Sequence, residues 1–144
     1  MSASLVLSQE GHRLLQIGVA LLLFSSFWGF VVPYARVPRL GLSVHTLSAF
    51  EALVLLALGL LWPVLHLSAL TSAAALWLFV YSALATLASY LLAAVWGAGN
   101  STIPLAAGTA RGTPFQEAVI KVVLYSAAPT VIVSLALILW GLRG

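Results

Sequence analysis

A histidine and a glutamate six positions apart, His45 and Glu51, stand in the run Arg39-Leu-Gly-Leu-Ser-Val-His45-Thr-Leu-Ser-Ala-Phe-Glu51-Ala. The apolar pattern continues through Leu53, Leu60 and Trp62, so both belong to a helix that crosses a membrane. Ionisable side chains in hydrocarbon are costly, and those that persist face a bundle interior, a cofactor or a proton path. A neutral imidazole at His45 can ligate a metal or haem iron, shuttle a proton, or satisfy a neighbouring backbone group. It has no HxxE or HxxH partner, so a zinc or di-iron centre, which needs three or four ligands, is excluded. A five-coordinate haem needs one axial ligand and an apolar slot, and His45 is enough for that.

Glu51 lies about ten residues into its span, near the bilayer midplane at ~1.5 Å rise per residue. It is displaced from His45 by about 120° around the helix, and Ser48, three from each, is placed to bridge the two faces. Glu51 in its neutral form can donate a hydrogen bond or act as a general acid in a dry pocket; packing against a serine, threonine or tyrosine is the bland alternative. The third apolar stretch carries Ser82, Thr86, Ser89 and Tyr90 on one face, and the fourth carries Ser126, Thr130 and Ser134 beside Tyr125 and Pro129. Such stripes are ordinarily interhelical glue, with Tyr90 set apart because a phenol both donates and accepts. His12 and His66 fall at span ends.

The elements that must position these groups follow from composition. The chain is 62% hydrophobic and 6% charged, which excludes a water-soluble globular domain. Four stretches, roughly 14–32, 41–67, 70–96 and 115–142, reach the ~20 residues a spanning helix needs. The expectation is an all-α integral membrane protein: one transmembrane domain over 1–144, a four-helix bundle with both termini on one side. The first stretch follows no basic n-region and ends without a small-residue cleavage site, so it reads as a retained helix. With no cysteines, thiolate metal sites, iron–sulfur clusters and covalently attached c-type haem are excluded. The net charge of +3 comes mostly from arginines outside the spans and speaks to topology rather than to a nucleic-acid partner. Arg36, Arg39 and Arg111 on one side outnumber Arg13 and Arg143 on the other by a single charge.

Local signals are uneven. Trp28, Trp62, Trp77, Trp96 and Trp140 read as an aromatic belt. Thr113-Pro114-Phe115-Gln116 has the form of a capping box with proline in the first helical position. Glu117 and Lys121 read as an i,i+4 ion pair. A short turn near Leu67–Ser68 makes the second and third helices antiparallel neighbours. Gly18 and the alanines 73–75, 83, 85 and 88 permit close helix contact. Loop 97–113 is long and apolar enough to fold back over the bundle. The start of the second helix, the end of the third and the start of the fourth share one membrane side. His45, Tyr90, Lys121, Arg36, Arg39 and Arg111 therefore fall in one half of the bilayer, with Thr86 nearer the midplane. An imidazole in an apolar slot with guanidiniums at its mouth suits a haem and its propionates.

The chain resembles the hydroxylaminobenzene mutase family. The similar segments are Arg39-Leu-Gly-Leu-Ser-Val-His45, Leu58-Gly-Leu-Leu-Trp-Pro63, Ala93-Ala-Val-Trp-Gly-Ala-Gly99, Pro104-Leu-Ala-Ala-Gly108, Gln116-Glu-Ala-Val-Ile-Lys121 and Leu139-Trp-Gly-Leu-Arg143. More distantly it is similar to styrene oxide isomerase, a small four-helix membrane enzyme. The resemblance implies an isomerase that rearranges an aromatic substrate without outside redox equivalents. The mutase takes an N-arylhydroxylamine to a 2-aminophenol; the isomerase opens an aryl epoxide to an aldehyde, with ferric haem b as Lewis acid between subunits of a homotrimer. His45 matches the isomerase's iron-ligating histidine and Tyr90 a tyrosine of its pocket. Where the relatives carry asparagine six after the histidine this chain has Glu51, and Thr86 replaces a second asparagine.

The reading is thus a haem-b-dependent membrane isomerase or mutase acting on a hydrophobic aromatic substrate drawn from the lipid, expected in a bacterial cytoplasmic membrane. Iron held by His45 would polarise the substrate's N–O or C–O bond. Glu51, Tyr90 and Thr86 are the candidate catalytic groups, and His45, Ser48, Arg39 and Arg111 the candidate cofactor contacts, with a homo-oligomer, by resemblance a trimer, as the assembly. The rivals are a haem-binding sensor or electron carrier, and a small transporter with Glu51 as proton carrier.

Overall fold

A computed structural model describes residues 7–143. Five helices follow in order: α1 (Gln9–Val31), α2 (Pro38–Leu61), α3 (Ala69–Trp96), the single turn α4 (Pro104–Ala107) and α5 (Pro114–Gly141). Two 3₁₀ turns, Val32–Tyr34 and Trp62–Val64, end α1 and α2, and there is no strand among the described residues. Four of the helices are long and apolar enough to cross a membrane.

Their ends have local causes. Ser8 accepts a hydrogen bond from the Gly11 amide at 3.0 Å, so α1 starts ahead of its apolar stretch and takes His12 and Arg13 into its first turns. α2 starts on Pro38, which places Arg39 inside the helix rather than in the loop. It stops at Leu61 rather than at residue 67, because Pro63 has no amide to continue the helical ladder, and the chain tightens into a 3₁₀ turn before turning extended at Leu65. The link to α3 therefore runs from Trp62 to the cap Ser68, longer than a tight turn. α3 ends on Gly97, whose left-handed φ of 65° suits glycine. The expected capping box at Thr113 and Gln116 is present.

α1 packs along α2 and α3 along α5, and the two pairs meet where α2 touches α3. In lipid, association rests on close packing and interhelical hydrogen bonds rather than on hydrophobic burial. Glycine supplies the first between α1 and α2: a methyl on Gly11 would lie 2.6 Å from the Gly59 carbonyl oxygen, and one on Gly18 2.9 Å from Leu56. Serines supply the second between α3 and α5. Ser134, fully buried, donates to the Ala75 carbonyl at 2.6 Å, and the Tyr81 and Ser126 hydroxyls are 2.7 Å apart. Trp62 proves to be an interior lock rather than a belt residue, and the half-buried Trp28 is tied to α2. The Trp62 indole, 3% exposed, donates to Ser72 Oγ, and the Trp28 indole to the Gly41 carbonyl. Trp77 and Trp140 do face outward. α5 leans on α3, leaving a groove between α2 and α5 floored by α3.

Candidate active site

His45 projects from α2 toward α1. Its Nδ1 donates to the Ser25 carbonyl oxygen at 2.9 Å, and the Ser25 hydroxyl donates in return to the His45 carbonyl at 2.9 Å. Gly29, one turn along the same ridge of α1, makes room for the ring: a methyl there would sit 3.3 Å from Cε1. With the proton assigned to Nδ1 by this bond, the lone pair of Nε2 is left for another partner. Metal-bound imidazoles are oriented in the same way, by a carbonyl on the far nitrogen. The ring is half-buried, so Nε2 is not sealed in the core. No cluster of three or more His, Cys, Asp or Glu side chains exists among the described residues. The donor set therefore fits a group that takes one protein ligand, as haem does, and no multi-ligand ion.

Ser48 is fully buried and donates to the same His45 carbonyl at 3.0 Å. The hydroxyl placed by spacing between His45 and Glu51 thus fixes the α2 backbone and bridges to neither side chain. Two hydroxyls, Ser25 and Ser48, converge on that one carbonyl.

Glu51 lies on another face of α2, in the groove between α2 and α5. The cavity is about 550 Å³ and is lined by Phe50, Glu51 and Val54 from α2, Phe79, Ser82 and Thr86 from α3, and Leu124, Tyr125 and Val131 from α5, among others. Glu51 and Thr86 thus line one groove, and Tyr90 lies outside it. Thr86 donates to the Ser82 carbonyl and Ser82 to the Phe79 carbonyl, each at 2.8 Å, and Ser89 donates to the Thr86 carbonyl at 2.7 Å. Part of the α3 stripe is therefore helix self-satisfaction: Ser82 and Thr86 line the groove with their protons given to backbone carbonyls, and Ser89 does not line it. Glu51 is 9% exposed, and its buried Oε2 has no hydrogen-bond partner. An unpartnered polar atom in so apolar a place is costly, and it makes the groove a candidate ligand site.

Tyr90 and Arg39 share a second cavity of about 570 Å³ with Ser43 and residues 102–106 of the loop and α4. A smaller one joins Tyr90 to Ser43, Thr46, Leu47 and Phe50. Phe50 lines both this and the Glu51 groove, so one band of cavities runs along α2 from its middle to its Arg39 end. His45 lines none of the three. Arg111 reaches not to a cavity but to Asn100, at 3.3 Å from Oδ1.

Glu117 is the residue the spacing assigned wrongly. Its carboxylate accepts the amides of Gly99 at 2.8 Å, Gly112 at 3.0 Å and Ser101 at 3.2 Å, and the Ser101 hydroxyl as well. Lys121 instead lies 5.8 Å over the Tyr125 ring. The carboxylate knots loop 97–113, helped by Asn100 donating to the Gly108 carbonyl, and so holds α4 against the Arg39–Tyr90 cavity. Ser25 was also missed. The one available sign was a Ser25-Ser26 pair inside an apolar span with Gly29 a turn beyond.

The chain matches the family model for styrene oxide isomerase over residues 10–143. It is 44% identical to hydroxylaminobenzene mutase HabB of Ectopseudomonas oleovorans over 132 residues, covering 92% of this chain and 80% of that protein. It is 35% identical to hydroxylaminobenzene mutase HabA of the same organism over 125 residues, covering 87% and 93%. No solved structure gives a significant match. Four membrane-length helices, a half-buried histidine and a buried carboxyl in the second of them, and these two relatives agree: the chain belongs to the styrene oxide isomerase family, as an intramolecular isomerase or mutase.

Proposed function

We propose that the protein converts an N-arylhydroxylamine to a 2-aminophenol inside the membrane with the help of haem b held by His45. The observation that carries the cofactor is the imidazole itself: Nδ1 is tied to the Ser25 carbonyl, Nε2 is left unengaged, and Gly29 clears space for the ring. Arg39, which lines the cavity shared with Tyr90, supports the reading as a cation available to a propionate. A ferric haem would supply an open-sided Lewis acid for the oxygen of the substrate. The two mutases support the hydroxylamine; the family's description makes an aryl epoxide, opening to an aldehyde, the second reading.

The reaction is an isomerisation. The N–O bond breaks, a C–O bond forms at the ortho carbon, and the ring proton lost there is replaced by one on nitrogen, so no oxidant or reductant is consumed. What this chain contributes is placement and exclusion of water. Phe50, Val54, Phe79 and Val131 wall the ring; Thr86 and Ser82, with their protons committed to carbonyls, accept from a substrate N–H or O–H. Tyr90 can donate to an oxygen as it leaves or returns. The groove opens between helices whose outer faces are apolar, so a hydrophobic substrate arrives from the bilayer.

His45 and the groove occupy different faces of α2, toward α1 and toward α5 respectively. A site that uses both is completed by a second copy of the chain, in keeping with the trimer that the resemblance implies. The bacterial relatives support a cytoplasmic-membrane location. The test is turnover of phenylhydroxylamine by haem-supplemented protein in lipid nanodiscs, without added redox reagent. Formation of 2-aminophenol well above the rate in empty nanodiscs is expected; a rate equal to that background would sink the proposal.

A further inference from the structure

On a different face of the bundle from the Glu51 groove, α1 and α3 barely touch, and a furrow is left between them. It holds about 380 Å³ and runs between Ile17, Leu21 and Phe24 on α1 and Leu84, Leu87 and Leu91 on α3; none of its lining side chains is polar. Beyond it, toward the loop side, lies a smaller cavity of about 180 Å³ bounded by Trp28, Tyr34, Arg36 and Val95, among others. Phe24 of the first and Trp28 of the second are stacked with ring centroids 5.9 Å apart, so the two make one cleft along α1. From Ile17 to Trp28, and from Leu84 to Val95, the helices rise ~16 Å, about one leaflet of a ~30 Å hydrocarbon core. The cleft shares no lining residue with the three cavities that run along α2.

Its loop-side end has a different chemistry. Arg36 is exposed there, its stem laid against the end of α3, where a methyl on Gly97 would meet Cδ at 3.6 Å. Trp28 and the 86%-exposed Tyr34 supply the aromatic rim usual at a membrane surface. The three acidic residues of the chain lie elsewhere: Glu10 at the opposite end of α1, Glu51 in the middle of α2, and Glu117 engaged by loop amides. Arg36 therefore has no carboxylate partner among the described residues.

We infer that this cleft binds one anionic phospholipid, with an acyl chain lying between α1 and α3 and the phosphate held by Arg36. A guanidinium at the mouth of an apolar furrow between spanning helices matches that amphiphile at both ends. A zwitterionic headgroup would bring an ammonium for which the cleft has no anion. A neighbouring helix fits less well, because the furrow offers it no hydrogen bond and, apart from Ala20 and Ala88, no small residue for close approach. The lipid supplies contact where α1 and α3 lack it, and so braces the helix whose Ser25 and Gly29 hold His45.

The site is independent of the reaction and of haem, and lipid binding alone tests it. Haem-supplemented protein in detergent is mixed with equimolar dioleoyl phosphatidylglycerol and dioleoyl phosphatidylcholine, and native mass spectrometry reads which lipids stay bound and to how many chains. Wild type should retain the glycerol lipid about tenfold more than the choline lipid, the worth of one charge-assisted contact. Arg36→Gln, a change at an exposed position, should erase that preference. Arg111→Gln, which removes a charge from the loop 97–113, should leave it unchanged. Ala20→Trp, which fills the furrow from its exposed edge, should lower retention of both lipids. Equal retention of the two lipids by wild type, which needs no variant to fold, overturns the inference. So does a preference that survives Arg36→Gln, or one that falls as far in Arg111→Gln and thus belongs to the basic face as a whole. If Ala20→Trp changes the oligomeric mass and leaves lipid retention unaltered, a second copy of the chain covers the furrow, and the inference fails.

Discussion

Glu117 and Glu51 are the same side chain in two membrane-crossing helices, and they live opposite lives. Glu117, in the first turn of α5, accepts three backbone amides and a hydroxyl and closes loop 97–113 on itself. Glu51, in the middle of α2, is more deeply buried and leaves Oε2 without any partner. A carboxylate that collects backbone donors at a helix start is a fastener, favoured by charge-assisted bonds and by the helix dipole. A carboxyl held in hydrocarbon with a lone pair idle costs stability, and it persists where a ligand supplies what the fold withholds.

The contrast yields two stability measurements of opposite sign. Glu117→Ala strips four hydrogen bonds from the loop and should cost on the order of 2–3 kcal/mol, read as a lower thermal midpoint in detergent and faster proteolysis within residues 97–113. An unchanged midpoint would mean that the loop is held by other contacts. Glu51→Leu removes an unsatisfied polar group from an apolar groove and should raise stability by about 1 kcal/mol, while turnover falls at least tenfold. Should Glu51→Leu destabilise as Glu117→Ala does, the two carboxylates would be doing the same structural job.

Much of the fold was legible because a membrane helix declares itself through length and apolarity. The spans of α3 and α5 emerge within a residue or so of their sequence boundaries, framed by Ser68, Gly97 and Thr113. α2 ran short of its apolar stretch because hydropathy does not register that Pro63 cannot continue a helix. The site was legible where it rests on rare residues in hydrocarbon, His45 and Glu51, and on their offset around α2. It was illegible where the partner is a backbone group. Nothing in the spacing of His45 points to the Ser25 carbonyl on another helix, and nothing near Glu117 outcompetes Lys121 four residues on until the loop amides are placed. Interhelical register, set by contacts such as Gly11 against Gly59, decides both.

The role given to His45 is the point on which the chemistry turns. The visible spectrum of detergent-purified, haem-supplemented protein, wild type beside His45→Ala, reads it directly. A Soret band in wild type that is lost or shifted in an equally folded His45→Ala protein is the expected result. A featureless wild-type spectrum, or one that His45→Ala leaves unchanged, would contradict haem ligation by His45.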